Sequence, residues 1–475
     1  MKYKAVIGLE MHCELKSNSK VFSPSRNAYS ELANSNVNAI DLAFPGTMPS
    51  VNKKCVKDSI KMAMVLNCKV PEYMLFDRKN YFYPDLPKGY QLTQFTMPVG
   101  VNGHVDVPFE GGILPVDIHD IHLEEDAASM DHLENSSVID YNRGGVPLLE
   151  LVTEPCLHSA KEAVAFLEFM RSAYQYCDAS EADTKKGQIR CDVNVSIMEE
   201  DATELGTRVE IKNVNSFGNV HDAIVYEIKR QSELKDAGRY DEVVQETRRF
   251  DEESGRTIHM RSKEDAVDYK YFVEPNIPRY RITPEWKDSI RKEIPRLSHE
   301  RRREYLDTYG FSETDATVLT REKGISDYFE KCVTLGMEPK EACNWVTGSI
   351  VAWLNKNEAE IKDFYLTPEM LKFIYDNVKK GTISGKQAKD VFNKVLDEKK
   401  EPSAFISKEN AQISDAGELE KIIDEIIARS PKEVEGYRSG RDRLFDYFVG
   451  QVMKATRGKA NPIMTKDILH SKLDV

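Results

Sequence analysis

The stretch Val6–Leu15, V-I-G-L-E-M-H-C-E-L, alternates strictly between two kinds of residue. In an extended strand, successive side chains point to opposite faces. Leu9, Met11, Cys13 and Leu15 therefore share one face, and Glu10, His12 and Glu14 the other. The first face calls for a core. The second sets two carboxylates and an imidazole in a row, a set able to hold a divalent cation for phosphate chemistry or metal-assisted hydrolysis. Taken alone, the strand also reads as an ordinary half-buried strand with its polar face in water. The pattern recurs, however. Ile189–Ser196 (I-R-C-D-V-N-V-S) puts Arg190, Asp192, Asn194 and Ser196 on one face, and Arg208–Lys212 (R-V-E-I-K) groups Arg208, Glu210 and Lys212. Three strands that offer carboxylates for a metal, with Arg and Lys for phosphates, suit the inner face of a nucleotide cradle.

Composition narrows the class. The chain has 475 residues, 40% hydrophobic and 31% charged, enough for several domains with their own cores. The N-terminal apolar run is too short for a signal peptide, and no stretch approaches the roughly 20 apolar residues of a membrane helix. A cytoplasmic protein with no membrane association is expected. The eight cysteines form no C-x-x-C pair, which argues against a disulfide framework and a structural zinc. Net charge is −13, so the average surface repels nucleic acid, and any RNA contact needs a local basic patch. DNA is not an expected partner.

Up to about residue 280, strand-like runs alternate with Gly, Pro and Asn turn signals. Helices are expected at Ser159–Tyr176, with Ser159 as N-cap, and at Asn219–Lys235. From about Pro284 helical periodicity dominates. Thr367-Pro368 opens a helix running to Lys380, with Gly381 just past its end. Ser384–Leu396 and Asp415–Arg429 read as two more helices, joined by a charged linker at Asp397–Gln412. The outline is α+β: a mixed first domain, an all-α domain and a small helical tail.

Four groups carry chemistry. Glu10, His12, Glu125 and Glu150 form the first. Glu125 lies in the acidic run H-L-E-E-D, and such a run taken alone is more often a solvated loop than a ligand set. Glu150 is the single carboxylate of V-P-L-L-E-L-V, and an ionised Glu is rarely buried unless paired or metal-bound. Oxygen ligands suit Mg²⁺; His12 leaves Mn²⁺ or an outer-shell role open. The second group is Asn80–Gln94, where Tyr81 and its neighbours offer rings for a base and Lys88 a charge for phosphate or RNA. A rigid loop packed by its own tyrosines is the alternative. Third, Lys212–Phe217 joins a strand to a helix through a polar turn, a common way to aim backbone N–H groups at an anion. No G-x-x-x-x-G-K-[ST] and no helix-opening G-x-G-x-x-G occur, which excludes P-loop and Rossmann readings. Fourth, between Tyr437 and Ala460 six Arg or Lys face two Asp, a local +4 in a chain of −13. This suits an RNA-backbone contact or a solvated basic helix face.

These segments together closely resemble the GatB/GatE family of amidotransferase subunits. The matching motifs are I-G-L-E-M-H, D-R-K-N-Y-F-Y-P-D-L-P-K-G-Y-Q, H-L-E-E-D-A, D-Y-N-R-G-G-V-P-L-L-E-L-V-T-E-P, I-R-C-D-V-N-V-S, V-E-I-K-N-V-N-S-F, Q-E-T-R-R-F-D and G-Q-V-M-K-A-T-R-G-K-A-N-P. They follow in family order over essentially the whole chain. The resemblance implies an antiparallel-sheet cradle (1–290) akin to the glutamine synthetase/guanido kinase core. A helical domain (291–400) and a YqeY-like, tRNA-binding tail (401–475) would follow. It implies an ATP-dependent carbon–nitrogen ligase with glutamine as amide donor. ATP would phosphorylate the side-chain carboxylate of Glu or Asp on a mischarged tRNA, and ammonia would displace the phosphate. The amidotransferase's glutaminase (its A component) and a small clamping protein (its C component) would be the partners in a heterotrimer. That is consistent with the lack of any glutaminase signature here.

Carried over by motif, Glu10, His12, Glu125 and Glu150 resemble the metal set, with Mg²⁺ or Mn²⁺, and Asp192 a further metal or nucleotide contact. Arg190, Lys212 and Ser216 fall where phosphates would lie. Arg441, Arg443, Lys454, Arg457 and Lys459 fall on the tRNA side of the tail. Where some members carry a cysteine zinc site, this chain has F-S-P-S (22–25) and I-D-L-A-F-P-G (40–46), so no zinc is expected. Two other readings remain: a carboxylate–amine ligase on a free small acid, and a non-catalytic tRNA scaffold.

Overall fold

The computed structural model describes residues 3–214, 216–262, 268–406, 416–456 and 460–474. The chain divides into two compact units, residues 1–300 and 301–475. The linker expectation at 397–412 falls partly on residues 407–412, outside the described residues.

In chain order the strands of the first unit are β1 (Tyr3–Glu14), β2 (Tyr73–Met74), β3 (Asp77–Asn80), β4 (Tyr90–Thr93), β5 (Gly100–Phe109), β6 (Gly112–Glu125), β7 (Ser129–Leu133), β8 (Ser136–Asp140), β9 (Pro147–Thr153), β10 (Ile189–Glu199), β11 (Val209–Val214), β12 (Glu246–Asp251), β13 (Arg256–Ser262), β14 (Phe272–Val273) and β15 (Tyr280–Arg281). Eight of them form one sheet in the order β13-β12-β11-β10-β1-β9-β6-β5. The expected antiparallel cradle is in fact mixed, because β11 and β12 pair in parallel. The cause is the connection: helix α3 (Phe217–Asp236) lies between these strands, and a helical crossover returns the chain in the same direction.

The alternation of β1 decides the layering. Leu9, Met11, Cys13 and Leu15 are buried on one face. Ile189, Cys191, Val193 and Val195 of β10 and Leu149 and Leu151 of β9 join them. Helices α1 (Lys53–Val65), α2 (Ala160–Tyr176) and α3 cover this face, with Phe166, Leu167, Met170 and Tyr174 of α2 buried in a single core. Ser159 caps α2 by accepting the Glu162 N–H at 3.2 Å. The other sheet face keeps the polar side chains.

One irregular segment is held by polar rather than apolar burial. Asp41 accepts the Ser23 and Ser25 hydroxyls and the Asn38 N–H, and fully buried Lys20 sits 3.8 Å from it. Each of these buried polar groups thus has its partner.

In the second unit every named element is helical, and two apolar cores are separate. One gathers Tyr305, Phe329, Leu371 and Ile374; the other gathers Leu419, Ile423, Phe448 and Val452. Thr367 caps the helix Pro368–Lys379, and Gly381 follows it at φ +70°. A Cβ is costly at positive φ, which is why glycine ends this helix. Among the described residues no helix is long and apolar enough to cross a membrane.

Tight packing of β5 on its surroundings gives a stability test. A Cβ at Gly103 would lie 2.5 Å from Cys68 Sγ and 2.7 Å from Leu66 O, whereas at Gly112 the nearest atom is 3.6 Å away. Gly103→Ala is therefore expected to cost about 1–3 kcal/mol through overpacking, and Gly112→Ala close to nothing. Denaturant unfolding of the full chain, followed at Trp286 with Trp345 and Trp353 replaced by Phe, measures both.

Candidate functional site

The polar sheet face is organised around one carboxylate. β9 runs between β1 and β6, so Glu150 lies opposite His12 on one side and His122 on the other. Glu150 Oε2 is 3.2 Å from His12 Nε2 and 3.3 Å from His122 Nε2. Glu10 Oε1 approaches His12 Nε2 at 3.8 Å, and Glu124 Oε2 approaches His122 Nε2 at 3.9 Å. Two triads result, Glu10–His12–Glu150 and His122–Glu124–Glu150, each with ligand atoms within 4.8 Å of one another. Such mixed oxygen and imidazole sets have the chemistry of a divalent-cation site.

His122 and Glu124 reach this face through a bulge. Leu114, Val116 and Ile118 of β6 are buried at a spacing of two, but the next buried apolar residues are Ile121 and Leu123. The pairing with β9 shifts between Ile118 and Asp120. One extra residue inverts the alternation from there on. Asp120, His122 and Glu124 then face the site, while Glu125 faces the other way. There Glu125 accepts the Lys88 ammonium and the Leu92 N–H, the latter at 2.9 Å. The sequence-derived set of Glu10, His12, Glu125 and Glu150 is thus brought together at Glu10, His12 and Glu150, and Glu124 stands where Glu125 was expected. The step from Ile118 to Ile121 is the sequence signal that announces the bulge.

The charges in the cluster hold one another. Burial opposes ionisation of Glu150, yet the His122 charge and the His12 hydrogen bond keep its carboxyl well below the usual range. Burial likewise opposes a charged His12, but its hydrogen bond to Glu150 and the carboxylate's charge raise it to about 9. Glu124, pressed by burial and by Glu150, is pushed up to about 7. Glu10 moves up for the same two reasons. Lys79 stands 5.0 Å above the Tyr269 ring and is held protonated, against burial, chiefly by Glu124. No pattern in D-R-K-N marked it out.

The expected cations lie in the same sheet, each already paired. Lys212 donates to Asp192 at 2.6 Å and lies 3.3 Å from Glu210, which accepts the Thr247 hydroxyl at 2.9 Å. Arg190 donates to Asp126 at 2.7 Å. Strand register brings Asp192 opposite Glu10 and Arg190 opposite His12. Ser216 caps α3 by accepting the Asn219 N–H at 3.1 Å, so its hydroxyl is engaged at the helix start. Tyr81 packs edge-on to Tyr269 at 5.9 Å, and Lys88 is tied to Glu125. Beside the cluster a cavity of about 230 Å³ is lined by Gly8, Val152, Asn194, Ser196, Gly206 and Arg208 among others. In the second unit Arg441, Arg443 and Lys454 are exposed. Arg457 and Lys459 lie outside the described residues.

Fold and site together define an α+β protein with an acid-lined mixed sheet, followed by helical units. Residues 5–288 match the family model described as the GatB/GatE catalytic domain, and residues 327–473 match the one described as the GatB domain. The chain is 42% identical to the B subunit of the aspartyl/glutamyl-tRNA(Asn/Gln) amidotransferase of Halalkalibacterium halodurans, over 100% of both chains. It is 43% identical to the protein of that name from Geotalea uraniireducens, again over 100% of both. The chain belongs to the GatB/GatE family.

The bulge separates two adjacent glutamates by role. Glu124→Gln is expected to weaken Mn²⁺ binding by at least ~10-fold and to leave unfolding unchanged. Glu125→Gln, which strips a buried partner from Lys88, should cost about 3 kcal/mol of stability and leave Mn²⁺ binding near wild type. Mn²⁺ titration by electron paramagnetic resonance, alongside denaturant unfolding, reads both variants.

Proposed function

We propose that this chain is the ATP-using component of a tRNA-dependent amidotransferase, acting on Glu or Asp esterified to a mischarged tRNA. The observation that carries the reading is the Glu150 carboxylate shared by His12 and His122, with Glu10 and Glu124 beside it. On this reading the cradle is of the glutamine synthetase/guanido kinase kind.

Glu10, His12 and Glu150, with His122 and Glu124, would hold Mg²⁺ or Mn²⁺, and the donor set fits. That cation, when bound, supplies charge neutralisation on the phosphates. Asp192, opposite Glu10, extends the same acidic row. Lys212 and Arg190 leave their carboxylate partners for the phosphates, where a fixed positive charge stabilises the transferring phosphoryl group. The cavity beside Gly8 accepts the nucleoside. Gly206 keeps that wall thin, since a Cβ there would lie 2.0 Å from Ile197 O.

The side-chain carboxylate oxygen of the aminoacyl group attacks the γ-phosphorus, and ADP leaves. Ammonia then attacks the carbonyl carbon of the acyl phosphate and loses a proton, and the C–O bond to phosphate breaks. The amide stays on the tRNA. The supply of ammonia by a partner glutaminase, the clamping by a small third protein and tRNA contact through Arg441, Arg443 and Lys454 belong to the same reading. So does a cytoplasmic location.

The test is ADP release by the chain assembled with its glutaminase and its small clamping partner, with Mg²⁺, ATP and ammonium. ADP and Gln-tRNA are expected only with Glu-tRNA(Gln), or with Asp-tRNA(Asn) in the parallel case. Glu150→Ala should lower that rate by at least ~10²-fold. ADP release with free glutamate alone would establish a small-acid ligase instead. No ADP with any of these substrates, from folded protein, would leave a scaffold.

A further inference from the structure

The helical unit contains a groove that the proposed reaction leaves unused. A cavity of about 400 Å³ opens between the short helix Pro339–Asn344 with the turn that follows it, the helix Pro368–Lys379, and the start of the helix Gly385–Glu398. The turn after Asn344, Trp345–Ile350, is π-helical. Single π turns widen a helix locally and are frequent at functional sites. Half-buried Trp345, on this turn, and half-buried Tyr375 both line the cavity. Asn344, Ser349 and half-buried Glu341 add an amide, a hydroxyl and a carboxylate.

The rim is cationic. Residues 379–389 contain four lysines and no acid, in a chain of net charge −13. Lys379 and Lys389 line the cavity and are exposed. Lys379 lies 5.4 Å from the Tyr375 ring, and among the described residues neither lysine forms an ion pair. Lys372, by contrast, is held by Asp376 at 2.6 Å. Gly348 and Gly385 also line the cavity, and a Cβ at either would meet nothing within 4 Å.

Two aromatic rings, an amide, a hydroxyl, the Glu341 carboxylate and two ammonium groups without an ion-pair partner among the described residues match a single nucleotide, whose base edge can donate to the carboxylate. The rings stack on the base, the amide and hydroxyl meet its edge, and the lysines meet the flanking phosphates. The volume lies within the usual range of ligand pockets. An acidic peptide would use the lysines but would be repelled by Glu341 and leave the two rings without a role. We infer that this groove captures an unpaired nucleotide of the bound tRNA, as an RNA contact distinct from the basic tail; the inference rests on the function proposed above.

The test uses the full chain and a tRNA(Gln) transcript, with binding measured over a salt series and by tryptophan fluorescence. Lys379→Ala/Lys389→Ala is expected to weaken binding about tenfold and to lower the slope of log K against log salt by about 2, one per lysine. Gly348→Leu fills the groove without changing charge, so it should weaken binding at an unchanged slope. Quenching of fluorescence by RNA should vanish in Trp345→Phe and persist in Trp353→Phe. Circular dichroism matching wild type shows that each variant is folded. If wild type binds tRNA while both groove variants match it in affinity and slope and quenching survives Trp345→Phe, the inference falls and the proposed function stands. If groove variants bind tRNA normally but fail to assemble with the partner proteins, the occupant is a protein and the inference is overturned. If wild type binds no tRNA, the proposed function itself fails.

Discussion

The site rests on a carboxylate placed where apolar residues would otherwise be. Glu150 occupies an interior strand of the sheet between Leu149 and Leu151, both fully buried. An ionised carboxylate there is unstable without partners. The strand order solves this: with β1 on one side and β6 on the other, two imidazoles converge on a single oxygen. Every other feature of the polar face follows from keeping that arrangement in register. A slip of one residue in either pairing would send His12 or His122 toward the core and set an apolar neighbour, Met11 or Cys13 on one side and Ile121 or Leu123 on the other, opposite the carboxylate.

Much of this is legible in the sequence. The alternation in β1 and β10 assigns both faces of both strands, because period two needs no tertiary information. Helix ends are equally local, as Ser159, Thr367 and Ser384 each accept an N–H from their own first turn. What the sequence hides depends on other strands. Glu125 and Glu124 are neighbours, and only the bulge at His119–Asp120 decides which one faces the site. The apolar spacing 114, 116, 118, then 121, 123 encodes that bulge, but a run as acidic as H-L-E-E-D draws attention away from it. Pairings such as Lys212 with Asp192, or Lys88 with Glu125, join residues 20 and 37 positions apart. No periodicity predicts them. The parallel pair within an otherwise antiparallel sheet is likewise set by the crossover helix α3, and not by the strands themselves.

Lys88 shows how the same residue type can be spent in different ways. The Asn80–Gln94 segment reads equally as a binding loop or as a rigid packed loop. Its lysine is committed to Glu125, the Gln91 amide donates to Glu125 O at 2.7 Å, and Gln94 accepts the Leu123 N–H at 2.9 Å. These bonds fasten the segment to the end of β6, next to the residues that build the cluster. Its polar side chains therefore position the site's own strand, while Phe82 and Tyr83, 90% and 48% exposed, face outward.

The pairing of Lys212 and Arg190 with neighbouring carboxylates has a consequence for loading. Lys212 with Asp192, and Arg190 with Asp126, are close to neutral as pairs, so the face offers little net positive charge to an approaching triphosphate. A divalent cation changes this balance at the carboxylates first. With a cation at Glu150 and its neighbours, the ammonium and guanidinium groups, like His12 and His122, would carry less of the counter-charge of the acidic row. On the proposed function they would then gain freedom to turn to phosphate oxygens, where charge-assisted hydrogen bonds would replace those given up. Glu210, held by the Thr247 hydroxyl, keeps Lys212 within reach of both partners. On the proposed function, nucleotide and metal would thus bind cooperatively, through exchange of ion-pair partners within a sheet whose backbone register stays fixed.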